Sequence, residues 1–466
     1  MIIHNEKNAE LTQMGQFLYN EIKSSVAQKT RLEQFIDITK YEFLAYNINL
    51  NGKIVPIYSK AIQMALNENF AVYIPYIDHP VYLNESIILN SGNSLKVHPD
   101  TKIILIGDIC MLRNRNIIDG HYNRVYPGFN SDHDINISGG IWELPDTVRL
   151  NYDPPRDYLG CDAGFLLHNI VNVKIEDMTI RNTNRMGLQL GNCRNFIVKN
   201  IKFENAGRDG IHIEGPAAYG VISNISGLLG DDVIALNAWD WSNGSLTFGA
   251  IHNVIVEDII CEPGYLWSEM RLHPGNKPLP DGDIIECPLY NILFNNIRGI
   301  HTIKLYNQPN LMPGQQKDRS LGLGCMYNIF FENITFDYFD SKKYYTVKNA
   351  GFEIDADIYN ISFKNISFNY PLCNENFSNY KAIAVGPISA TWKTTDNPKD
   401  WVDFFEADDI CKVNKMVIDN VAVNGEPCKD VEKLILVRHL TINPDYPNTT
   451  PRGGTGYGVI RELFIT

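Results

Sequence analysis

Residues 170–182 read IVNVKIEDMTIRN, and residues 193–205 read CRNFIVKNIKFEN. In both segments, β-branched or aromatic residues alternate with polar ones, and this period of two is typical of a β-strand with one buried face. An Asp or Asn interrupts the alternation near the middle, at Asp177 and Asn200. Because Asn and Asp tolerate the backbone conformations of tight turns, we expect a bend there between two short strands.

The same pattern recurs from about residue 70 onward, at intervals of roughly 23 to 38 residues. Further copies occupy residues 133–143, 219–230, 251–263, 289–300, 326–337, 358–369 and 413–425. A unit repeated at this spacing indicates an array in which each copy packs on its neighbours. Helical patterns are nearly absent between copies, so the repeats predict an all-β fold, a right-handed parallel β-helix with coils about 4.8 Å apart. A β-propeller is the alternative, but its blades need longer, antiparallel units.

Two segments near the N-terminus have helical periodicity instead, at residues 9–27 and 59–66. We expect these helices to cap an open end of the β-helix, where unpaired strand edges favour aggregation. One continuous core would serve the whole chain, with an N-terminal helical cap and lead-in segment at 1–70 and a β-helix domain at 71–466. Long irregular inserts are expected to wall the side of the cylinder, at 144–162, 262–288, 307–324 and 386–411.

The bulk composition excludes several classes of partner. The net charge of −13 argues against nucleic acid and against an anionic membrane. No stretch approaches the roughly 20 apolar residues of a membrane span, and the first residues lack the features of a signal peptide. The nine cysteines are scattered without metal-binding spacing, which favours free thiols in a reducing compartment. The expected location is the cytoplasm, or the periplasm or exterior if a signal has been trimmed.

A group of aspartates lies at the start of two consecutive strand patterns. Residues 230–241 read GDDVIALNAWDW, where Asp231 and Asp232 directly precede an apolar run. About one coil earlier, residues 207–215 read GRDGIHIEG and place Asp209 similarly, one coil length before Asp231. Stacking would bring the three carboxylates together on one wall. A bend or bulge at the glycine would turn the adjacent pair to the same outward side.

Carboxylates at such close range cannot all ionise comfortably, so at least one pKa is expected to rise. A protonated acid beside an ionised one suits glycosidic bond cleavage. The acid protonates the leaving oxygen, and its partner activates water or attacks the sugar. The alternative is that these aspartates only cap exposed turns, which is the commoner outcome for a single Asp-Gly or Asp-Asp. Three aspartates in register on adjacent coils favour a site.

The ordered motifs RDGIHI and GDDVIALNA resemble those of the polygalacturonases, glycoside hydrolase family 28, within the pectate-lyase-type β-helix superfamily. That family carries an Asn-Thr-Asp-Gly coil, an Asp-Asp coil, a Gly-His-Gly coil and an Arg-Ile-Lys sequence. The resemblance implies a metal-independent hydrolase of a pectic galacturonide or related plant or microbial sugar. It implies that Asp231 is the general acid and that Asp209 and Asp232 hold and activate water. Inversion would require about 6.5–9.5 Å between acid and base, and the long side loops favour exo-acting cleavage.

The chain departs from the family pattern at three places. Arg208 stands where the first motif has threonine, and Asn243, within SNGSLTFG, stands where the family has histidine. The Arg-Ile-Lys position falls best on MRLHPG, giving Arg271 and His273, with HTIKLYN and its Lys304 as the second choice. Because the family uses its Arg and Lys on the substrate carboxylate, the resemblance supports hydrolysis and leaves the sugar open.

Further residues near these motifs are predicted to contact a sugar. His212 and Glu214 share an outward strand face if the neighbouring isoleucines point inward. Trp239, Trp241 and Trp267 offer aromatic faces on which a sugar ring can stack. The alternatives are a solvated strand face for the first two and loop packing for the tryptophans. The complete predicted set of sugar contacts is Arg208, His212, Glu214, Gln189, Asn237, Trp239, Asn243, Arg271, His273 and Lys304.

No cofactor or metal is expected, although Asp231, Asp232 and Asp240 offer carboxylates that could hold a cation. Two other functions compete with hydrolysis. A polysaccharide lyase needs a Lys or Arg base and often calcium, whereas a non-catalytic carbohydrate-binding β-helix needs no acid. The expected partner is an oligo- or polysaccharide, not nucleic acid or a membrane, and the sequence also allows an oligomer.

Overall fold

The computed structural model describes residues 1–26, 34–117, 131–148, 163–240, 246–261, 269–278, 281–306, 324–338, 350–371, 380–386, 391–392, 402–403, 410–437 and 457–466. Most of these residues lie in strands, and most strands join one large sheet system with almost entirely parallel pairing; two short antiparallel pairs lie outside it. The strands stack coil upon coil, so the predicted right-handed parallel β-helix is confirmed. None of the helices in these ranges is long and apolar enough to span a membrane.

The helical segments are α1 (Ala9–Val26), α2 (Ser59–Glu68), α3 (Val431–Leu434) and a 3-10 helix (Ile38–Leu44). The N-terminal strands are β1 (Ile2–His4), β2 (Ile36–Asp37), β3 (Tyr46–Leu50), β4 (Lys53–Ile57), β5 (Ala71–Ile74), β6 (Val81–Leu83), β7 (Ile87–Leu89), β8 (Ser94–Val97), β9 (Lys102–Leu105), β10 (Leu112–Asn114), β11 (Asp132–Ser138) and β12 (Ile141–Glu143). The middle strands are β13 (Ala163–Thr183), β14 (Met186–Ala206), β15 (Ile211–Leu229), β16 (Asp232–Asn237), β17 (Ile251–Cys261), β18 (Glu269–His273), β19 (Gly275–Pro278), β20 (Ile284–Cys287), β21 (Leu289–Ile300) and β22 (Thr302–Tyr306). The C-terminal strands are β23 (Cys325–Asp337), β24 (Ala350–Asp355), β25 (Asp357–Asn369), β26 (Lys381–Val385), β27 (Thr391–Trp392), β28 (Val402–Asp403), β29 (Ile410–Val423), β30 (Glu426–Pro427), β31 (Ile435–Val437) and β32 (Tyr457–Ile465).

The predicted bends occur at Asn and Asp residues whose backbone lies in the left-handed region. Asp177, Asn200 and Asn224 have φ values of 60°, 56° and 52°. Their side chains form a ladder, since Asn200 Nδ2 donates to Asp177 Oδ1 at 2.6 Å and Asn224 Nδ2 donates to Asn200 Oδ1 at 2.8 Å. The interval between such rungs reaches 55 residues from Asn365 to Asn420. It exceeds the predicted spacing because an insertion at a bend leaves the stacked strands undisturbed.

Side chains that alternate inward from the coils form one continuous core. One row runs in register through Ile175, Val198, Ile222, Val256 and Phe294, each at most 1% exposed. Burial of each such side chain contributes about 1.5–3 kcal/mol as an upper estimate. Because every coil extends the same row, one core serves the length of the cylinder.

One sheet of the cylinder, called the site sheet below, carries the predicted site residues. Its strands stack in the order 163–168, 186–191, 211–214, β16, β18, β22, β24, β26 and β31. The insert predicted at 262–288 is wrong for residues 269–273, which form β18 and pair with β16 and β22. A five-residue strand between irregular segments gives too short an alternation to stand out.

Helix α1 begins and ends close to the predicted limits but does not cap an end of the cylinder. Its buried residues pack along an outward row of a neighbouring sheet, called the flank column: Val221, Ile255, Leu293, Phe330 and Val417. The row crosses five coil spacings, about 24 Å, and an 18-residue helix is about 27 Å long. Gly15 lies over the Phe330 ring, where a Cβ would come within 3.0 Å. The helix therefore lies lengthwise on the coils.

The predicted cap is supplied by α2 at the N-terminal end of the core. Ala61, Ile62, Ala65 and Leu66 of this helix are buried in the main core cluster. At the other end, β1 pairs in parallel with β32, so the first residues of the chain cover the last coil. The division into segments 1–70 and 71–466 stays a prediction.

Candidate active site

Asp209 and Asp232 lie on neighbouring strands of the site sheet. The backbone N–H of Gly210 donates to the carbonyl of Asp232 at 2.9 Å, within the register that joins β15 to β16. This register stacks Asp232 directly on Asp209, whereas the sequence placed Asp231 one coil length away. The Asp232 carboxyl is therefore enclosed between strands, and the Asp231 carboxyl lies nearer the edge.

The backbone around the aspartate pair explains how adjacent residues join one cluster. A Cβ on Gly230 would lie 2.7 Å from the carbonyl oxygen of Gly207, so the two bends stack too closely for a side chain. The pairing with β18 is irregular between Asp232 and Ile234. The bulge thus follows the pair, whereas the sequence predicted a bend or bulge at the glycine.

Asp209, Asp231 and Asp232 come together as a compact cluster. One carboxylate oxygen of each lies within 4.8 Å of the others. Asp209 and Asp232 are fully buried, whereas Asp231 is half-buried. Asp231 is therefore the member of the cluster that a molecule from solvent can reach.

Two cations alternate with three carboxylates along this part of the site sheet. Arg271 Nη2 lies 3.2 Å from Asp209 Oδ2, and Arg271 Nε lies 2.8 Å from Asp232 Oδ2. Lys304 Nζ lies 3.4 Å from Asp232 Oδ1 and is also paired with Glu269. We call these five residues the charge ladder. Both alternatives for the Arg-Ile-Lys position are brought together, because Arg271 and Lys304 face each other in the register of β18 and β22.

The environment separates the pKa values of the three aspartates. Burial raises the pKa of Asp209, but Arg271 and His212 outweigh burial and hold this pKa below its usual value. Burial and the neighbouring Asp209 raise the pKa of Asp231. Burial also raises the pKa of Asp232 to about 7, although Arg271 and Lys304 oppose the rise. Near neutral pH the cluster therefore combines an ionised Asp209 with a proton held by the other two.

His212, three residues after Asp209 in the chain, supports the ionised Asp209. Its Nδ1 donates to Asp209 Oδ2 at 2.7 Å, and both side chains are fully buried. Burial lowers the pKa of His212, but hydrogen bonding to Asp209 and the nearby acids raise it above its usual value overall. On its other side, Nε2 lies 3.4 Å from Asp240 Oδ2, to which Asn237 Nδ2 also donates at 2.8 Å.

Glu214 was predicted to contact sugar, but its oxygens are occupied within the chain. It accepts from Gln189 Nε2 at 2.6 Å and from the backbone N–H groups of Leu246 and Thr247 at 2.9 and 3.3 Å. His168 Nε2 lies 3.3 Å away. Burial raises the pKa of Glu214 to about 7. These contacts give Glu214 the role of anchoring residues 246–247 over the site sheet.

The other predicted residues lie around this network in different ways. Arg208 is 2% exposed and close enough to the cluster to help lower the pKa of Asp209 and to oppose the rise in the pKa of Asp231. His273 is fully buried, with its ring 4.8 Å from that of Tyr306. Gln189 and Asn237 are buried, and Trp239 is partly buried against the core. Asn243, Trp241 and Trp267 lie outside the described residues.

Glu269, His168 and Tyr306 are site residues that the sequence did not predict, and Asp240 was predicted only as a possible cation ligand. Glu269 and Tyr306 share the outward alternation of β18 and β22 with Arg271 and Lys304. This alternation of polar residues along a short strand is the signal that could have revealed them. Asp240 bonds to Asn237 and lies outside the aspartate cluster.

The aspartate cluster has oxygen ligands of the kind that bind hard cations. Its charge is already offset, however, because Asp209 and Asp232 are ion-paired with Arg271 and Lys304. A divalent ion would have to enter beside these two buried cations, which repel it. The arrangement is suited to handling protons by carboxyl groups.

Several solved structures share this architecture. No protein-family model matches the chain, and no curated protein sequence does. A hyperthermoactive exopolygalacturonase from Thermotoga maritima is 12% identical, with a TM-score of 0.56, covering 89% of this chain and 97% of its own. A mutant tailspike protein of E. coli bacteriophage HK620, in complex with a hexasaccharide, is 11% identical, with a TM-score of 0.52, covering 96% of this chain and 71% of its own. At such identities the common property is the fold: this chain is a right-handed parallel β-helix of the kind found in both proteins.

Proposed function

We propose that the chain hydrolyses a glycosidic bond of an oligo- or polysaccharide. Asp231, half-buried and with a raised pKa, gives its proton to the leaving oxygen. Asp209, whose pKa is lowered, is the ionised partner that acts on water, and Asp232 completes the cluster around that water. The observation that carries the proposal is this separation of pKa values among carboxyl groups from adjacent coils. Such a separation is what assigns acid and base in glycosidases.

The spacing of the carboxyl groups bears on the stereochemical course. One oxygen of each lies within 4.8 Å of the others, closer than the roughly 6.5–9.5 Å expected for inversion and nearer to the roughly 5–5.5 Å of retention. This is the distance between single oxygens and not between whole carboxyl groups, so the inversion predicted from sequence stays a prediction. NMR of the product anomer in the first minutes of reaction distinguishes the two courses.

The enclosure of the site favours exo-acting cleavage. Asp209, Asp232, His212 and His273 are fully buried. A groove that binds several sugars of a long chain would expose such side chains along its length. Cleavage from a chain end needs only a pocket, and pectic oligosaccharides are the first substrates to test.

A lyase is less well supported by the two cations of the site. Burial alone would lower the pKa values of Arg271 and Lys304, but the surrounding carboxylates raise both well above their usual values. Neither side chain can then give up a proton and serve as the base that a lyase needs.

The test is activity on a panel of aryl glycosides and pectic oligosaccharides. Asp231→Asn and Asp209→Asn are expected to lose about 10²–10⁴-fold in kcat. Asp258→Asn is the matched control, because this exposed aspartate lies at a bend with φ of 57° that asparagine also adopts. The proposal fails if the wild-type chain turns over no member of the panel, or if both site variants keep the full rate.

A further inference from the structure

We infer that the sugar held at the aspartate cluster is neutral and that the site excludes a uronate. The inference rests on the proposed function and names its substrate class. It follows from the way in which the charge ladder uses its two cations and from the chemistry of the polar atoms beside the ladder.

Both cations of the charge ladder are already paired with carboxylates of the chain. Arg271 contacts Asp209 and Asp232, and Lys304 contacts Asp232 and Glu269. Two positive charges thus lie among three carboxylates. Lys304 is half-buried, and the other four residues are at most 9% exposed. Arg208 adds a third cation beside Asp209, and Asp231 adds a fourth carboxylate. Among these described residues the positive charge therefore does not exceed the negative charge.

An anion that leaves water for a buried site needs a cation in contact with it. The carboxylate of a uronate would have to displace Asp209, Asp232 or Glu269 from a ladder cation, or compete with Asp209 and Asp231 for Arg208. The displaced carboxylate would then be buried without compensation, which is the most unfavourable arrangement for a charged group. A neutral sugar brings no such charge.

Three buried polar atoms lie next to the ladder. Gln189 Oε1, Asn237 Oδ1 and His273 Nε2 are buried and have no hydrogen-bond partner among the described residues. Burial, then Arg271 and Lys304, lower the pKa of His273 far below its usual value, so its ring is neutral. A carbonyl oxygen and a neutral ring nitrogen match hydroxyl groups, which both donate and accept. A carboxylate, which only accepts, would meet two further acceptors.

These atoms lie together beside the ladder on the same sheet. Asn237 and His273 face each other in the register of β16 and β18. Arg271 precedes His273 by two residues on β18, on the same outward face. Hydroxyl groups of a sugar whose glycosidic oxygen reaches Asp231 would therefore meet neutral groups on this side.

The binding test uses the Asp231→Asn variant, which holds a substrate without cutting it, and matched pairs of oligosaccharides. Each pair sets a uronide against its carboxyl-reduced neutral counterpart, beginning with trigalacturonate and galactotriose, and neutral xylo-, arabino- and rhamno-oligosaccharides complete the panel. Calorimetry is expected to show at least about tenfold tighter binding of a neutral member than of any uronide. Tighter binding of a uronide, or no binding of any neutral member, overturns the inference.

A second variant tests the cause. Glu269→Gln removes one acid from the ladder and leaves Lys304 with a single carboxylate partner, so the preference for the neutral member over the uronide should fall about tenfold. Glu257→Gln is the matched control, since Glu257 is a buried glutamate paired with Lys23 beside the flank column. An unchanged preference in Glu269→Gln, or an equal change in the control, contradicts the proposed cause.

Hydrolysis of the same panel by the wild-type chain separates this inference from the proposed function. If neutral members bind and none is cut, the hydrolase proposal fails and the inference on ligand class stands. If uronides alone bind and are cut, the inference fails and the hydrolase proposal stands.

Discussion

The flank column and the charge ladder lie on neighbouring sheets of the same coils, and both point outward from the cylinder. The flank column is apolar, and α1 covers it lengthwise. The ladder is charged and also buried apart from the half-buried Lys304, although in a parallel β-helix such outward positions would ordinarily meet water. Similar burial is thus reached by opposite chemistry. The flank column is covered by the chain itself, whereas the ladder belongs to the site for which we propose a ligand.

Burial stabilises the fold at the flank column but contributes little or nothing to stability at the charge ladder. Apolar area buried on the flank contributes about 25 cal/mol per Å². Buried ion pairs such as Arg271 with Asp232 at best roughly balance the cost of removing both charges from water. Clustered charges with strongly shifted pKa values therefore favour a functional explanation, whereas the flank column is explained by stability alone.

The largest effect is expected at the ladder. Arg271→Gln leaves Asp209 and Asp232 buried without a shared cation, so the variant should lose about 3–5 kcal/mol of unfolding free energy and at least about 100-fold in kcat. Arg271→Lys should recover part of the stability but little activity, because a compact ammonium lacks the planar, forked N–H groups with which the guanidinium contacts Asp209 and Asp232. Urea denaturation and glycosidase assays measure both quantities. Wild-type stability in Arg271→Gln would show that the ladder is not a coupled unit.

A smaller and purely structural effect is expected on the flank. Ile255 is fully buried beneath α1, so Ile255→Ala should cost about 2–5 kcal/mol of unfolding free energy. The kcat measured below the melting temperature should stay at the wild-type value. A loss of kcat comparable to that of Arg271→Gln would mean that the flank column and the charge ladder are energetically coupled.

The smallest expected effect is the response to pH, which only the site should show. In the proposed reaction Asp209 is ionised and the Asp231–Asp232 pair holds a proton, so kcat/KM should fall as pH rises beyond about 7. In acid it should fall only below the usual aspartate range, since the pKa of Asp209 is lowered. The raised pKa of Asp232 means that the folded chain binds this proton more tightly than the unfolded chain. Its contribution to stability is therefore full at low pH and is lost as pH rises towards 7.

Profiles of kcat/KM and melting temperature against pH measure this effect. Asp232→Asn should flatten the change in melting temperature between the usual aspartate pKa and pH 7. Ile255→Ala should lower the melting temperature by a similar amount at every pH, because the flank column contains no titratable group. If kcat/KM falls at high pH in the same way in wild type and in Asp232→Asn, the proton belongs to Asp231 alone.

The coils, their bends and both long N-terminal helices could be predicted, because each depends on periodicity over neighbouring residues. Asp177 and Asn200 mark bends that the alternation around them already requires. Strand β18 was missed, since five residues between irregular segments carry little periodic signal. The position of α1 could not be predicted either, because an amphipathic pattern shows that one face is buried and does not identify what covers it.

The sequence by itself determined the repeating coil and the position of three aspartates at the start of two consecutive strands. Only the tertiary structure decided that Asp232 stacks on Asp209, that Arg271 and Lys304 belong together, and that Glu269 completes the ladder. The physical reason is that alternation and bends are local properties of the backbone. The pKa of a carboxyl and the charge left for a substrate depend instead on side chains that only the stacking of coils brings within a few Å.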